Sequence, residues 1–449
     1  MSISGVAEAP PEAAAARGGL PEASLVESVR VLRTGILPSL IRGLFAPRPG
    51  AMKLLTRLDT DRRAVEAVGK IRRKHGGEGA RLLGGRIVVV WGREAIREVL
   101  DQSADVYASD AGAKAKGMAH FQPDALTLSR GDDWRDRRDF NESVLATSER
   151  VHPFGQRFVT LAEQEADGLG LSDRLEWTDW ERLFDRIMLR VVFGDRARED
   201  QELSGLLEKL LFEANRLPGP GGSDRYYEFY GRLERYLAKP EPDTLLARFA
   251  EAPQTDRTRV VQQIPHMMFA TRDTLAANAY RALGAIVADP PVERRVREEL
   301  EGVDLSDASA VDGLRYLEGC LEEAMRLWPT TPLIARETTR STTLAGEQLD
   351  EGTQVILLNV FNHREPDEVS GADRLVPDRW ADGSREYRFN HLSNGTQNCP
   401  GVPLVHLLSK AVLARVLDRH RLTLEEPKLE PGEPLPHMLD FFRMRFRVG

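Results

Sequence analysis

The chain of 449 residues has only two cysteines, Cys320 and Cys399, which are too few for a disulfide framework. No secretory signal stands at its start, and no apolar run reaches the ~18 residues of a membrane span. A reducing cytoplasm is therefore the expected location. Basic residues are not in excess either, because 62 Lys and Arg stand against 70 Asp and Glu. This balance argues against a nucleic-acid-binding protein.

Low-complexity sequence is confined to the start of the chain. Residues 1–22 are rich in Ala, Pro, Glu and Gly and lack an apolar period, which predicts a disordered tail. No linker follows, so residues 23–449 are expected to form a single domain. Residues 24–45 are amphipathic, and packing on the domain is favoured over contact with a membrane surface. The Pro-Gly segment 217–223 is predicted to be a loop.

Apolar residues spaced three and four apart predict a mainly helical protein. We expect helices near residues 150–168, 176–194, 201–216, 224–238, 291–302, 311–328 and 402–420. Residues 258–288 predict one very long helix, kinked near Pro265. Strand signals are few: residues 81–91 predict a hairpin with a Gly-Gly turn, and residues 354–360 predict another strand. The class is therefore mainly α with a small β part.

Cys399 is the first candidate for chemistry. It lies just before a predicted helix, between Gly395 and Gly401, which permit tight turns close to a ligand. Free N–H groups at a helix start stabilise a thiolate, the form that binds a metal. The alternative is a buried structural thiol, which is the interpretation preferred for Cys320 in the middle of a helix.

Glu323 and Arg326 are three residues apart and so share one face of a helix. The spacing alone carries no weight, because Glu94 and Arg97 repeat it. Position distinguishes the first pair: its helix closes at once, and Pro377-Asp-Arg379-Trp380 follows before the Cys399 segment.

In this order the motifs resemble those of the haem-thiolate monooxygenases, the cytochrome P450 superfamily, of the bacterial soluble type, over roughly residues 50–449. The resemblance implies a single-domain triangular prism with haem b between the long I helix and the L helix after Cys399, whose sulfur ligates the iron. It also implies that Glu323, Arg326 and Arg379 form a network that supports the ligand loop.

Further matches point to the haem propionates and to the oxygen site. By resemblance, Trp134, Arg138 and Arg336 hold the propionates, which need cations. Ala270 lies against the haem, and Asp273 with Thr274 forms an acid–alcohol pair that relays protons. Polar side chains in mid-helix also open the backbone ladder there.

The chain departs from the family pattern at several positions. The usual Phe seven residues before the cysteine is Leu392, and the usual Arg or His two residues before it is Gln397. Gln397 can donate a hydrogen bond to a propionate but supplies no charge. His391 is a possible compensation, with a surface loop residue as the plainer interpretation. Thr271 replaces the usual Gly of the helical groove, and Arg272 is an unusual neighbour.

The resemblance implies an enzyme that inserts an oxygen atom from O₂ into a small, mostly apolar organic substrate. Electrons would come from a ferredoxin and a NAD(P)H-dependent ferredoxin reductase, steered by the basic residues Arg135, Arg137, Lys410 and Arg415. Bacterial specialised metabolism, of terpenoid or polyketide-like compounds, is the expected setting. A haem-thiolate peroxygenase or isomerase and a non-enzymatic haem sensor remain as alternatives.

Substrate contacts are expected from the segments that cover the haem. Phe269, Leu333 and Ile334 are the candidate pocket residues, together with residues 112–127 and 217–227. The loop at 217–223 is a candidate lid.

Overall fold

The structure is a computed structural model that describes residues 19–43, 45–110, 112–171, 173–215, 223–383 and 386–449. Most of the predicted N-terminal tail and residues 217–222 of the predicted lid lie outside the described residues. Leu20 is buried, and Glu22 forms a β-bridge with Arg81. Residues 19–22 thus already pack against the edge of a sheet, and the disordered tail stays a prediction.

Helices make up most of the described chain, and their bounds follow in two groups. The first group is α1 (Leu25–Val31), α2 (Leu37–Ile41), α3 (Pro49–Leu58), α4 (Thr60–His75), α5 (Arg93–Asp101), α6 (Gly112–Met118), α7 (Gly131–Leu145), α8 (Gly155–Asp167) and α9 (Trp177–Phe193). The second group is α10 (Gln201–Ala214), α11 (Asp224–Leu237), α12 (Ile264–Phe269), α13 (Leu275–Val287), α14 (Pro290–Leu300), α15 (Ala308–Asp312), α16 (Arg315–Leu327), α17 (Asn359–Asn362) and α18 (Val402–Arg419).

The strands form three small sheets. They are β1 (Gly79–Leu82), β2 (Ile87–Val90), β3 (Tyr107–Ala108), β4 (Arg174–Glu176), β5 (Ile334–Thr338), β6 (Thr342–Leu344), β7 (Glu347–Leu349), β8 (Gln354–Leu357), β9 (Leu422–Glu426) and β10 (Arg445–Val448). The largest sheet has the order β1-β2-β8-β5-β3, in which only the β2–β8 pair is parallel. The predicted hairpin is β1–β2, and the predicted strand 354–360 ends earlier, at Leu357. The mainly α class with a small β part is confirmed.

The predicted long helix consists of four consecutive elements. They are a 3-10 turn (Val260–Gln263), α12, a π-helical segment (Ala270–Thr274) and α13. The predicted kink at Pro265 is wrong, because this residue sits in the first turn of α12, where proline fits without breaking a hydrogen bond. The irregularity lies instead at the π segment, where the backbone ladder is widened as the polar residues predicted.

The segment from residue 24 to residue 45 packs on the rest of the protein, as favoured. Val31 is buried, and a side chain at Gly35 would lie 3.1 Å from Leu358. Leu25 and Val26, by contrast, are 70% and 69% exposed. Among the described residues, no helix combines the length and the apolar character needed to cross a membrane.

Helix α16 lies very close to the 3-10 turn that runs from Pro377 to Trp380. A Cβ atom on Gly319 would lie 2.5 Å from the backbone oxygen of Pro377. Because such a contact is shorter than real Cβ atoms show, only glycine allows the helix and the turn to approach this far. Gly319 therefore sets the distance between two elements that carry charged side chains of the candidate site.

We predict that Gly319→Ala lowers the melting temperature, because the added methyl forces α16 away from the turn at a cost of about 1–3 kcal/mol. Gly205→Ala is the matched control. It adds the same methyl to α10 where nothing lies within 4 Å, and it should stabilise the protein by up to about 1 kcal/mol. Thermal unfolding of both variants followed by circular dichroism tests this, and equal melting temperatures would contradict it.

Candidate active site

The Cys399 segment is a tight loop that ends at the start of α18. The N–H of Cys399 donates to the carbonyl of Leu392 at 2.9 Å. Gly395 has φ +68°, and a Cβ there would lie 2.4 Å from the backbone of Leu100 at the end of α5. Gly401, the residue before α18, would carry its Cβ 3.9 Å from the Cys399 sulfur. Gly395 thus serves close packing of the loop on α5, and Gly401 leaves space beside the sulfur.

Glu323 is a completely buried carboxylate that collects hydrogen bonds from two elements. Arg326 donates to it from Nε at 2.7 Å and from Nη2 at 2.8 Å, and both side chains are 0% exposed. Arg379 donates from Nε at 3.1 Å, the Trp380 indole at 3.0 Å and the Val376 amide at 2.9 Å. The structure thus brings Glu323, Arg326 and Arg379 together, and it adds Trp380 as a further donor.

Arg326 also reaches into the chain that precedes the cysteine loop. Its guanidinium donates to the carbonyl oxygens of His363 at 3.0 Å, Ala372 at 2.8 Å and Arg374 at 2.9 Å. One buried ion pair therefore joins α16, the turn at Pro377–Trp380 and the segment after α17. His363 in turn accepts the N–H of Asn390 at 2.8 Å, which links this network to the segment that leads to Cys399.

A second buried charge cluster adjoins this network. Glu322 accepts from His391 and, at 2.8 Å, from Nε2 of His406 on α18. Burial opposes the charge of Glu322, but His391 and then His406 hold its pKa well below the usual value. The interpretation of His391 as a surface loop residue is wrong, because its side chain is only 3% exposed and bonds this carboxylate.

The residue just before the cysteine is held from the other side, by α7. Arg138 donates to the backbone oxygen of Asn398 at 2.7 Å and also to its side-chain oxygen, while its Nε contacts Glu142. Trp134 lies one turn earlier on α7 and is partly buried. In this structure Arg138 therefore fixes the cysteine loop, and its role toward a propionate stays a prediction.

Gln397 begins a chain of hydrogen bonds that ends at a lysine. Its amide donates to the Ser109 hydroxyl at 3.2 Å, which donates to the Thr127 carbonyl at 3.1 Å. The Lys114 ammonium donates to the same carbonyl at 3.3 Å. An ammonium group thus stands near the position where Gln397 supplies no charge. Sequence reasoning missed Lys114, because a lysine in a short helix gives no signal without its contacts.

Arg336 and Lys114 are enclosed cations. Arg336 donates to the Ser103 hydroxyl at 2.9 Å and to the Ala335 carbonyl at 3.0 Å. Burial lowers the pKa of Arg336 to about 10, and burial together with the charge of Arg336 lowers the pKa of Lys114 to about 7. Neither forms an ion pair with a carboxylate of the described residues, so both are poised for an external anion.

These groups fit haem. A thiol at a helix start supplies the axial ligand, and two enclosed cations suit a group that carries two carboxylates. Gln397 lies on the hydrogen-bond chain that leads from the Cys399 loop to Lys114. The residues present thus offer a ligand, charge for the propionates and hydrogen-bond donors between them.

Asp273 and Thr274 lie at the end of the π segment. The Asp273 side chain keeps 22% of its surface accessible, yet it is enclosed deeply enough that burial raises its pKa to about 6, against the attraction of Arg272. Ala270 and Thr274 are partly buried on the same widened turn. The segment thus combines an enclosed acid with an alcohol, while their role toward O₂ stays a prediction.

The candidate pocket residues lie on two elements. The Phe269 ring packs edge-on against Phe121, with centroids 6.4 Å apart. Ile334 is buried in the core beside β5, whereas Leu333 is partly buried against a different core cluster. The structure thus does not bring Leu333 and Ile334 to one surface, and their contact with substrate stays a prediction.

The basic residues expected to steer a ferredoxin are mostly engaged inside the protein. Lys410 is 0% exposed and bonds Glu318 at 2.6 Å, and Arg137 is buried. Arg415 is 14% exposed and pairs with Asp167 at 2.6 Å. This part of the expectation is wrong, because their helices turn these cations toward neighbouring carboxylates or backbone oxygens. Arg135 is 65% exposed and pairs with the exposed carboxylate of Asp132 on the same helix.

Comparisons with known proteins find similarity in the C-terminal half of the chain. A family model described as Cytochrome P450 matches residues 238–440. Cytochrome P450 4V2 of Homo sapiens is 30% identical over 180 residues, which cover 38% of this chain and 34% of that protein. Cytochrome P450 4A10 of Rattus norvegicus is 30% identical over 221 residues, which cover 46% and 43%. A protein of Mycobacterium tuberculosis named cytochrome P450 136 is 29% identical over 179 residues, which cover 38% and 36%.

These matches agree with the mainly helical fold and with the order of motifs around Cys399. The similarity to the cytochrome P450 family covers residues 238–440, which include Glu323, Arg379 and Cys399. Haem, iron protoporphyrin IX, is the cofactor of that family. The chain spans about a third of the length of human cytochrome P450 4V2. Because the similar proteins include human and rat ones, the expected bacterial specialised metabolism gains no support from them and stays a prediction.

We predict that Glu323→Ala destabilises the protein by about 3–5 kcal/mol, because it leaves the Arg326 guanidinium buried without a carboxylate. The matched control is Glu94→Ala, which breaks a pair of the same spacing whose side chains are 72% and 48% exposed. The control should change stability by no more than about 0.5 kcal/mol. Chemical unfolding of both variants measures the difference in their free energies of unfolding. Similar losses of stability would refute the proposed contribution of Glu323 to the fold.

The raised pKa of Asp273 predicts a pH dependence of stability. The folded state holds the Asp273 proton more tightly than the unfolded state does. The stability that this proton contributes to the fold is therefore fully present below the ordinary pKa of 3.8 and is lost as pH rises through about 6. Relative to Asp273→Asn, the wild type should lose about 3 kcal/mol across this window. Melting temperatures of both proteins between pH 4.5 and 7 test this. Asp105→Asn, at a side chain that is 77% exposed, is the control.

Proposed function

We propose that this chain is a haem-thiolate monooxygenase. It inserts one oxygen atom from O₂ into a small, mostly apolar organic substrate, with Cys399 as the iron ligand. The observation that carries the proposal is the pair of enclosed cations, Arg336 and Lys114, without carboxylate partners among the described residues, near a loop that holds a cysteine at a helix start. A dianionic cofactor with a metal centre would pair with the two cations and bind the cysteine.

When bound, haem with a thiolate ligand supplies the activation of O₂. The protein's residues supply position, charge and protons. Arg336 and Lys114 neutralise the propionates, with Trp134 and Gln397 as further hydrogen-bond donors. Arg138 holds Asn398 and so fixes the approach of Cys399 from the side of α7.

Support of the ligand loop and delivery of protons fall to two other groups of residues. Glu323, with Arg326 and Arg379, keeps the loop rigid, as a buried bidentate pair does well. Asp273 and Thr274 hold and pass protons next to Ala270. An acid whose pKa is about 6 is suited to give and regain a proton near neutral pH.

Substrate and electron donor follow from the same proposal. Phe269 is partly buried and packs against the buried ring of Phe121, so it offers an aromatic surface that favours an apolar substrate. A ferredoxin and a NAD(P)H-dependent ferredoxin reductase are proposed as electron donors. Arg135 is the exposed cation through which an acidic partner can be steered.

The test is an absorption spectrum of the purified protein, reduced and exposed to carbon monoxide. The wild type should show the band of a thiolate-ligated haem, and Cys399→Ser should lose it. Cys320→Ser is the matched control and should keep the band, because Cys320 is fully buried in α16. Retention of the band in Cys399→Ser would refute the assignment of the ligand.

Turnover separates the monooxygenase from the alternatives. Product formed with ferredoxin, reductase, NAD(P)H and O₂ supports the proposal. Product formed only with peroxide and no reductant would favour a peroxygenase, and product formed without either would favour an isomerase. A haem-containing protein that consumes no NAD(P)H with any substrate would favour a sensor.

A further inference from the structure

A cavity of about 720 Å³ lies between α3 and the segment of residues 426–443 near the end of the chain. Cavities that hold small molecules in proteins commonly have volumes of this order. None of the described residues that line this cavity is one of those assigned above to the haem site. The cavity is therefore a separate feature that the proposed function does not use.

The inner wall of this cavity is apolar. Met438 and Leu439 are 5% and 1% exposed, and Leu429 is partly buried beside them in the lining. Met438 also packs with Met52 and Leu55 of α3 in a small core cluster. The packing of the fold thus holds this wall in place, and burial of an apolar ligand against it is favourable.

Two polar side chains of the same lining have oxygen atoms without a partner. Asp440 is 6% exposed, and one of its carboxylate oxygens accepts the N–H of Phe442 at 3.2 Å. Its other oxygen is buried and has no hydrogen-bond partner among the described residues, and the same holds for the hydroxyl of Thr56 on α3. Both residues line the cavity. Because an unpaired buried oxygen is costly, a ligand that brings a hydrogen-bond donor to Asp440 is favoured.

The charges around the cavity favour a neutral ligand. Four Lys and Arg side chains and three Glu side chains of the lining are exposed, so neither sign of charge dominates. Burial raises the pKa of Asp440, against the hydrogen bond from Phe442 and the attraction of Arg281 and Arg443. Since Arg281 is itself only 6% exposed, an ammonium group at Asp440 would add a second cation close to a buried one. A hydroxyl group donates to Asp440 without adding charge.

We propose that this cavity is a second ligand site, which binds a neutral apolar molecule that carries a hydroxyl group. The apolar part of the ligand lies against Leu429, Met438 and Leu439. Its hydroxyl group donates to the unpaired oxygen of Asp440 and accepts from the hydroxyl of Thr56. Binding is reversible, and no bond is formed or broken.

The site stands on the cavity alone, because none of these contacts involves haem. One consequence rests on the proposed function. Insertion of an oxygen atom into a C–H bond of an apolar substrate yields an alcohol, so the cavity favours the product of that reaction over its substrate.

The first experiment measures binding of 1-pyrenemethanol, a neutral apolar alcohol. Its methyl ether keeps the oxygen but has no donor, and 1-methylpyrene is the parent hydrocarbon. Equilibrium dialysis uses the haem-loaded protein with imidazole saturating the iron. The alcohol should bind about 10-fold more tightly than the ether, because only the alcohol can donate to Asp440. The haem absorption spectrum reports separately on any probe that displaces imidazole.

The second experiment repeats the dialysis with variants. Asp440→Asn should abolish the preference for the alcohol over the ether, because the amide oxygen can still accept from Phe442 while an NH₂ group replaces the unpaired acceptor. Asp105→Asn, at a side chain that is 77% exposed, is the matched control and should keep the preference. Leu429→Trp should fill the cavity and weaken the binding of all three probes about 10-fold, while melting temperatures verify that each variant is folded.

The outcomes separate the second site from the proposed function. Equal affinities of the wild type for the alcohol and the ether, or no saturable binding, would overturn the proposal and leave ordered water as the occupant. A preference that survives in both Asp440→Asn and Leu429→Trp would place the alcohol elsewhere and would also overturn it. Selective binding of the alcohol by a wild type that lacks the haem-thiolate band would support the site and refute the proposed function.

Discussion

The candidate site depends on the completely buried carboxylate of Glu323. Water solvates such a group favourably, whereas inside a protein it is tolerated only when it is paired and fully hydrogen-bonded. Arg326, Arg379, Trp380 and the Val376 amide meet that requirement. Because these donors come from separate parts of the chain, satisfying one charge fixes the relative position of several segments. Glu323 thus joins α16 to the turn at Pro377–Trp380, which precedes the Cys399 segment in the chain.

The enclosed cations give the cofactor pocket its second constraint. Arg336 and Lys114 pay the cost of leaving water without a carboxylate of the described chain to offset it. Under the proposed function, a bound dianion would offset that cost. The departure at Gln397 fits this picture, because the hydrogen-bond chain from its amide leads to the Lys114 ammonium. Positive charge missing at one position of the loop is supplied from another element.

Periodicity and motif order predicted most helices, the β1–β2 hairpin and the widened turn around Asp273, since these depend on local sequence. Contacts between residues far apart in the chain could not be predicted. From the sequence Lys410 is expected to be a surface cation. In the structure α18 packs it against Glu318, and its side chain is 0% exposed. His391 likewise reads as a loop residue until Glu322 is brought beside it. The partners of a charge are set by tertiary packing, which one sequence without its fold does not reveal.

The two faces of the proposed haem site are built on opposite electrostatic principles. On the side of Cys399, neighbouring histidines lower the pKa of Glu322, and Glu323 is fully paired with Arg326. Their direct hydrogen bonds leave little room for water. Around Arg272 the charged groups stand apart and several polar atoms lack partners in the described chain. Direct pairing favours one fixed geometry, whereas spaced charges with water between them favour proton exchange. The Glu323 network and the cluster around Arg272 thus differ in how closely their charged groups approach each other.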